Sequence, residues 1–429
     1  MSEVLHAVVD ACDEQQTLIL ALLALAGEPM GRRRIHDHLA PLAASANEQD
    51  VADALERLRA DGLIGELPSR GYTIAADVAW PAIRWALRAH RFNELREVYQ
   101  QVTPLRVDWQ GTPMLRSYRQ GVALLRMALL AGEGPKTIAP LLAACLRCHE
   151  AAYLHPLVDI CARPFEPDLM ERINGLVRDD VLAVLVNHAQ REPASAPAIR
   201  VYAEDHVAQG GASMALRTAL AEHFILCGRL DAAAGLLVDL DESATLYYHS
   251  VLQLLRGDTA PALAGFDKAL KLLRRETGKR KAVFEGIGGH LYVTALLRSD
   301  DPKHAKAAEA YLDSATRAVQ SHDTAVYQQL SMLRQIRGGT VDAEVLPSRN
   351  WETSLQPVMF RALLHWWLGM PQLADKRAML EQQFDVAQAA GFDFIAAQIA
   401  SVLGQSGMVG IDRQAIAVRQ QHRFVDLAL

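Results

Sequence analysis

The chain has 429 residues, of which 50% are hydrophobic and only 6% aromatic, and its formal net charge is −6. This composition excludes a disordered chain and a uniformly basic nucleic-acid coat, so any nucleic-acid contact must come from a local basic patch. The length allows several compact domains, or one small domain followed by a helical solenoid.

Cysteine use and hydropathy indicate the compartment. The five cysteines are sparse and odd in number, which does not suit a disulfide framework and favours a reducing environment. The first residues are interrupted by charge, unlike a signal peptide, and the longest apolar stretch, Thr17–Ala26, is too short to span a bilayer. We therefore expect a soluble cytoplasmic protein with no membrane partner.

Three helices are predicted near the N-terminus. Asp13 can cap the first, which ends at Gly27-Glu28-Pro29, and the second covers Arg32 to Leu39. The third has a capping-box pattern, with Ser45 as N-cap and Glu48 at N3. Four apolar residues of the third helix share one helical face and predict its buried side: Val51, Ala54, Leu55 and Leu58.

A β-hairpin is predicted directly after the third helix. Asp61-Gly62 stops the helix, and two short strands, 63–67 and 72–75, flank the turn Pro68-Ser69-Arg70-Gly71. The segment "VADALERLRADGLIGELPSRGYTIA" resembles the recognition helix and wing of bacterial winged-helix regulators. The resemblance implies a winged helix-turn-helix domain, which we place at residues 1–78.

A winged helix implies either DNA or protein binding. For double-stranded DNA as partner, the candidates are three arginines beside the second helix, three residues of the third helix and one in the wing. In order, they are Arg32, Arg33, Arg34, Asn47, Gln49, Arg57 and Arg70. The alternative is a protein-docking module, because the third helix carries four carboxylates against two arginines and carboxylates oppose binding to phosphates. The four are Glu48, Asp50, Asp53 and Glu56.

From Trp80 onward the periodicity is helical, and no alternating run predicts a sheet. Gly257, Ala262, Phe266 and Ala269 have a spacing that resembles the second half of a tetratricopeptide repeat. The segment starting at Gly228 shows the pattern again, with Ala233 and then Leu237 at the aromatic position. The interval between the two glycines is close to that family's period of about 34 residues. The predicted fold class is therefore mainly α, a winged helix followed by an α-solenoid of tetratricopeptide-like hairpins over residues 79–429.

Such a scaffold offers a concave face to a protein or peptide partner. Trp351, Trp366 and Trp367 could anchor a partner, but buried residues of stacked helices are the favoured interpretation.

A run of cations interrupts the otherwise acidic chain. It comprises Lys268, Lys271, Arg274, Arg275, Lys279, Arg280 and Lys281. Lys268, Lys271 and Arg275 share a helical face, and such a basic ridge suits a nucleic-acid backbone or an acidic partner. The alternative, which we favour here, is an exposed helix end where cations complement the helix dipole.

Few residues are arranged for chemistry. Cys145-Leu146-Arg147-Cys148-His149 matches the c-type haem pattern, and His155 or Cys161 could complete a zinc site, but buried thiols in a Leu- and Ala-rich helix are the favoured interpretation. The sequence "GEGPKT" lacks the glycine that precedes the lysine of a phosphate loop, and "GIGG" at 286–289 is better explained by close helix packing. We expect no catalytic residues, no metal, no cofactor and no enzymatic activity within these residues.

Two functions remain open. The first is a non-catalytic regulatory scaffold for protein and possible DNA binding. Its architecture resembles the N-terminal regulatory region of bacterial Swi/Snf-type helicases and the middle and sensor parts of signal-transduction ATPases, which implies an ATPase domain after these residues. The second is a free-standing transcription regulator, with the winged helix on an operator and the solenoid sensing a peptide or small ligand.

Overall fold

The structure is a computed structural model that describes residues 2–42, 47–152, 154–190, 196–284, 286–317 and 377–405. These residues are mainly helical, and they belong to two compact units, Met1–Arg178 and Asp179–Leu429. No helix in the described ranges is long and apolar enough to cross a membrane.

The first unit contains two short hairpins among its helices. Its helices are α1 (Ser2–Asp10), α2 (Glu14–Ala26), α3 (Arg32–Leu39), α4 (Glu48–Ala60), α5 (Ala76–Arg88), α6 (Phe92–Val102), α7 (Tyr118–Leu130), α8 (Pro135–Leu146), α9 (Pro156–Cys161) and α10 (Pro167–Arg172). The strands are β1 (Ile64–Leu67), β2 (Gly71–Ile74), β3 (Arg106–Val107) and β4 (Pro113–Met114). A 3₁₀ helix covers His149–Ala152.

Helix α2 is the core of this unit. It is buried on all sides from Gln16 to Ala26, as expected for a helix that is apolar all round, and it packs against α3, α4, α5 and α7. The predicted Asp13 cap is confirmed, because the Asp13 carboxylate accepts the Gln16 backbone N–H at 2.8 Å. Gly27 ends the helix in the left-handed conformation. Helix α1, which was not predicted, packs on α5.

Helix α4 begins later than predicted. The cap is Asn47, whose side chain accepts the backbone N–H groups of Gln49 and Asp50, so the prediction of Ser45 as N-cap and Glu48 at N3 was wrong. Asp50 occupies N3 and its side chain accepts the Asn47 N–H at 3.1 Å, which completes the capping box two residues downstream. The predicted apolar face of α4 is confirmed as buried.

The hairpin β1–β2 is antiparallel, with Ile64 opposite Ile74. A single-residue bridge joins it to the α2–α3 connection, because Met30 and Tyr72 exchange backbone hydrogen bonds of 2.9 Å in both directions. Gly71 makes this approach possible, since it has φ +100° and a Cβ there would collide with the Met30 carbonyl.

A second hairpin lies within the range that was predicted to be an α-solenoid. Strands β3 and β4 pair antiparallel, with Arg106 opposite Met114 and Val107 opposite Pro113. Each strand has only two residues, too few for alternation to show in the sequence. The predicted boundary after residue 78 remains a prediction, although α5 packs on α2 within the same compact unit.

The described residues of the second unit are mainly helical. Their helices are α11 (Gly175–Ala189, which includes the division between the units), α12 (Ala196–Ala208), α13 (Met214–Leu226), α14 (Leu230–Leu236), α15 (Glu242–Leu255), α16 (Thr259–Thr277), α17 (Gly286–Arg298), α18 (Pro302–Arg317), α19 (Arg377–Ala389) and α20 (Asp393–Gln405). Consecutive helices pack as pairs: α13 with α14, α15 with α16, α17 with α18, and α19 with α20.

The small-residue pattern of α16 is confirmed. Ala262, Phe266 and Ala269 are fully buried, and Gly257 turns the chain at φ +100°. At the second copy of the pattern Ala233 is buried, but Leu237, at the aromatic position, is only half-buried, because α14 ends at Leu236.

The "GIGG" segment is confirmed as a site of close packing. A Cβ at Gly288 would collide with the Tyr247 ring. The three tryptophans at 351, 366 and 367 lie outside the described residues.

Candidate recognition surfaces

The polar residues at the start of α4 are committed to local structure. Asn47 Oδ1 lies 2.9 Å from the backbone nitrogens of both Gln49 and Asp50, and Gln49 Nε2 donates to Asp53 Oδ1 at 2.8 Å. Asn47 therefore serves as a cap and Gln49 as a partner of a carboxylate. This arrangement engages Asn47 Oδ1 and Gln49 Nε2, which an amide side chain would need for a bidentate contact with a base edge.

Three of the candidate arginines are held by carboxylates. Arg34 lies 2.6 Å from Glu28, which is only 16% exposed, and this pair is the best shielded from solvent of the three. The other two pairs, Arg32–Glu48 at 3.4 Å and Arg57–Asp13 at 3.8 Å, are exposed and are worth little energetically. Each nevertheless places a carboxylate where a phosphate would have to bind.

The remaining candidates, Arg33 and Arg70, are exposed, and neither has an ion pair with any residue that the structure describes. Arg70 is in the β1–β2 turn, where its backbone N–H donates to the Leu67 carbonyl at 3.0 Å.

The exposed face of α4 is acidic. Glu48, Asp53 and Glu56 are exposed, and Arg59 is bound by Glu56 at 2.7 Å and by Glu66 of β1 at 2.8 Å. The helix carries four carboxylates against two arginines, and its arginines already have acidic partners. The face that would enter a major groove therefore presents net negative charge.

The basic ridge (Lys268, Lys271, Arg274, Arg275, Lys279, Arg280 and Lys281) follows the last turns of α16 and the turn after it. Helix α16 ends at Gly278 in the left-handed conformation, so Arg274 and Arg275 lie in its last turn, whereas Lys268 and Lys271 lie further from its end. Six of the seven side chains are exposed, and Arg274 is half-buried and donates to the Ala282 carbonyl at 3.1 Å.

The carboxylates within the same stretch are engaged elsewhere. Asp267 accepts from the Tyr292 hydroxyl at 2.6 Å, and Glu276 accepts from the Ser243 hydroxyl at 2.7 Å. No carboxylate of the described ranges forms an ion pair with the ridge. The cations of the ridge are therefore without a direct carboxylate partner among the described residues.

The cysteines show no arrangement for metal or nucleophilic chemistry. Burial raises the pKa of the Cys145 and Cys161 thiols to about 12, and it also raises the pKa of Cys148. Both roles require the thiolate, which these environments disfavour. In the described ranges no three His, Cys, Asp or Glu residues are grouped to hold a metal ion. Cys145 instead packs where a Cβ at Gly121 would stand.

A small cleft lies beside the turn between α5 and α6. Its volume is about 220 Å³, below the range of about 300–1,000 Å³ typical of small-molecule sites. It is lined by Leu87, His90, Phe92, Asn93, Ala131 and Arg172. The Arg172 side chain donates to the Leu130 carbonyl at 3.3 Å, so part of its polar capacity is already used.

Sequence reasoning missed one surface, the hairpin β3–β4, whose turn exposes Trp109. The turn sequence Asp108-Trp109-Gln110-Gly111 was the available signal, because Asp and Gly favour tight turns.

Comparisons with known proteins give no relative. A scan of protein-family models finds no match, and searches of curated proteins and of solved structures find none either.

Proposed function

We propose that the chain is a non-catalytic regulatory and scaffold module that binds other proteins. In this proposal α2, α3, α4 and the hairpin β1–β2 form a winged helix whose α4 face docks a protein. The order of these elements supports the assignment, and so does the Met30–Tyr72 bridge that ties the hairpin to the α2–α3 connection.

The charge on α4 is the observation that carries the proposal. Its exposed side presents carboxylates, and both of its arginines are paired with acidic residues. DNA binding gains most of its affinity from cations that replace phosphate counterions, so a net negative face opposes entry into a groove. A protein surface of opposite charge has no such conflict.

The helical pairs from α13 onward supply the scaffold in this proposal, as tetratricopeptide-like hairpins. Small buried residues at Ala262 and Ala269 allow α15 and α16 to approach closely, which is the packing such repeats use. The unpaired basic ridge is then the place where an acidic protein or peptide binds.

One observation favours the transcription regulator as a second candidate. Arg33 and Arg70 are exposed without an ion pair among described residues, and a wing arginine is positioned for a phosphate or the minor groove. In that case these two residues, and not the α4 face, supply the DNA contacts. The helical pairs would then sense a peptide or small ligand.

The experiment is a selection of duplexes from a random pool, followed by fluorescence anisotropy of the enriched sequences across a salt series. The docking function predicts no enriched sequence and a Kd weaker than about 1 µM at physiological salt, which is the non-specific range. The basic ridge contributes only to this sequence-independent binding. An enriched sequence bound at about 10 nM or tighter would overturn the proposal in favour of the regulator.

A regulatory role beside an ATPase domain extends this proposal. It is supported only by the similarity of architecture to the N-terminal region of Swi/Snf-type helicases.

A further inference from the structure

The hairpin β3–β4 presents a hydrophobic patch at the surface of the first unit. The hairpin patch comprises Val107, Trp109, Met114 and, at the adjoining end of α8, Leu146. Their exposed fractions are 60%, 90%, 55% and 46%. Helix α8 packs on β4, and Arg147 Nη2 donates to the Pro113 carbonyl at 3.4 Å, so the end of α8 and the hairpin form one surface.

The turn holds Trp109 at its apex through a dense set of hydrogen bonds. The Asp108 carboxylate accepts the backbone N–H groups of Gln110 and Thr112, each at 2.8 Å. The Asp108 carbonyl accepts the Gly111 N–H at 3.0 Å, and Gly111 adopts φ +79°. These amides hold the pKa of Asp108 below its usual value.

An aromatic side chain on a fixed turn loses little conformational entropy on binding. Trp109 is left almost wholly in water on a turn held by these three hydrogen bonds, so its ring buries little surface within the unit. Its exposure is therefore explained by a partner that buries it.

Three arginines lie in or next to the hairpin patch: Arg106 in β3, Arg116 two residues after β4, and Arg147 next to Leu146. Arg106 and Arg116 are exposed, and Arg147 is exposed beside β4. None of the three forms an ion pair with a carboxylate in the part of the chain that the structure describes. Asp108 is the one acidic residue between positions 104 and 119, and its Oδ1 accepts two backbone N–H groups of the turn. The rim of the patch is therefore positive, and charge complementarity requires an acidic partner.

The composition of the hairpin patch favours an acidic protein over single-stranded nucleic acid as its partner. Single-stranded nucleic acid binds by stacking bases on aromatic rings, and Trp109 is the one aromatic side chain of the patch. The other three members are aliphatic or Met, which offer bases no stacking surface. Trp, Met and Arg together are the residues enriched in protein interfaces.

We propose that the hairpin patch is a docking site for an acidic protein segment that inserts an apolar side chain against Trp109, while its carboxylates pair with Arg106, Arg116 and Arg147. This site is distinct from the α4 face and does not depend on the proposed function. The duplex-binding experiment does not test the hairpin patch, so its outcome can refute the proposed function without refuting this docking site.

The test is a display selection of random peptides of about 12 residues against the full chain, followed by titration of the most enriched peptide as a synthetic probe. We expect enriched peptides to combine Asp or Glu with a central apolar residue. Trp109→Ser should weaken the probe at least about 10-fold, as loss of an interface anchor does. The matched control is Leu176→Ser, which removes another exposed apolar residue of the same unit, 77% exposed, and should leave affinity unchanged.

A second variant tests the electrostatic part. Arg106→Glu/Arg116→Glu should also weaken the probe at least about 10-fold and reduce its salt dependence. Both variants should melt at the temperature of the unchanged protein, since the replaced side chains are exposed. The proposal is overturned if no enriched peptide depends on Trp109 for binding, or if the enriched peptides are basic. It is also overturned if an oligodeoxythymidine probe displaces the peptide, binds more tightly than the peptide does, and loses affinity in Trp109→Ser.

Discussion

His223 of α13 is a buried histidine that should make the second unit sensitive to acid. Its side chain is 1% exposed, and neither ring nitrogen has a hydrogen-bond partner among the described residues. The ring packs edge-on against Phe392 at 5.0 Å between centroids. Burial, followed by the charges of Arg200 and Arg229, lowers the pKa of His223 to about 3.

The sign of the effect follows from this lowered pKa. Below about pH 6.5 the unfolded chain takes up a proton at His223, whereas the folded protein does not until about pH 3. Stability is therefore lost as the pH falls through this window. Between pH 7.5 and pH 5.5, the difference in protonation amounts to about 1.4 kcal/mol in favour of the unfolded chain.

The perturbation is His223→Leu, which removes the titrating group and fills the same apolar site. At pH 7.5 we expect the variant to be more stable by about 1 kcal/mol, because two unsatisfied ring nitrogens are lost. At pH 5.5 the advantage should grow by about 1.4 kcal/mol.

The assay is urea unfolding, followed by circular dichroism, of both proteins at both pH values. His249→Leu, the same substitution at an exposed position of α15, is the control, and it should keep the acid-dependent loss because His223 is intact. An advantage of His223→Leu that is equal at the two pH values would refute the reasoning.

Three further predictions concern the first unit. The Arg126 side chain donates to the Ala24 and Leu25 carbonyls at 3.0 Å, near the end of α2. Arg126→Met removes both bonds and should lower the free energy of unfolding by about 2–4 kcal/mol in urea titrations, and an unchanged value would contradict a stabilising role of these bonds. Gly71→Ala should cost about 2 kcal/mol and expose the hairpin to hydrogen exchange, whereas Gly65→Ala, where a Cβ has room, should cost little; equal costs would refute the close approach. Asn47→Ala should lower the free energy of unfolding by about 1 kcal/mol and Ser45→Ala by much less. The opposite order in thermal melts would indicate that Ser45, and not Asn47, caps α4.

Local chemistry was sufficient to predict the elements of residues 13–75. Helix α2 is bounded by an Asp cap and a left-handed Gly, and the apolar spacing of α4 shows its buried face directly. The cap of α4 was misplaced because Ser45 and Asn47 both begin plausible capping boxes, and only the backbone geometry distinguishes them.

The ion pairs that engage the candidate DNA-binding arginines could not be predicted from the sequence. Arg32 pairs with Glu48 and Arg57 with Asp13, so the partners are separated along the chain and meet only through the packing of α2, α3 and α4. The hairpin patch was missed for a similar reason, because its strands are too short for a periodic signal and its exposure depends on α8.

The most direct test of the central proposal, that α2–α4 and the hairpin β1–β2 form a winged helix that docks a protein and does not read DNA, is duplex affinity after charge reversal of two arginines, Arg33 and Arg70. Arg33→Glu/Arg70→Glu is compared with Lys303→Glu/Lys306→Glu, an equal charge change at exposed positions of the second unit. We predict that both variants lose the same small factor, about 3-fold or less, from non-specific binding. A loss at least about 10-fold greater for the arginine variant would contradict the account, because it would show that these arginines contact DNA.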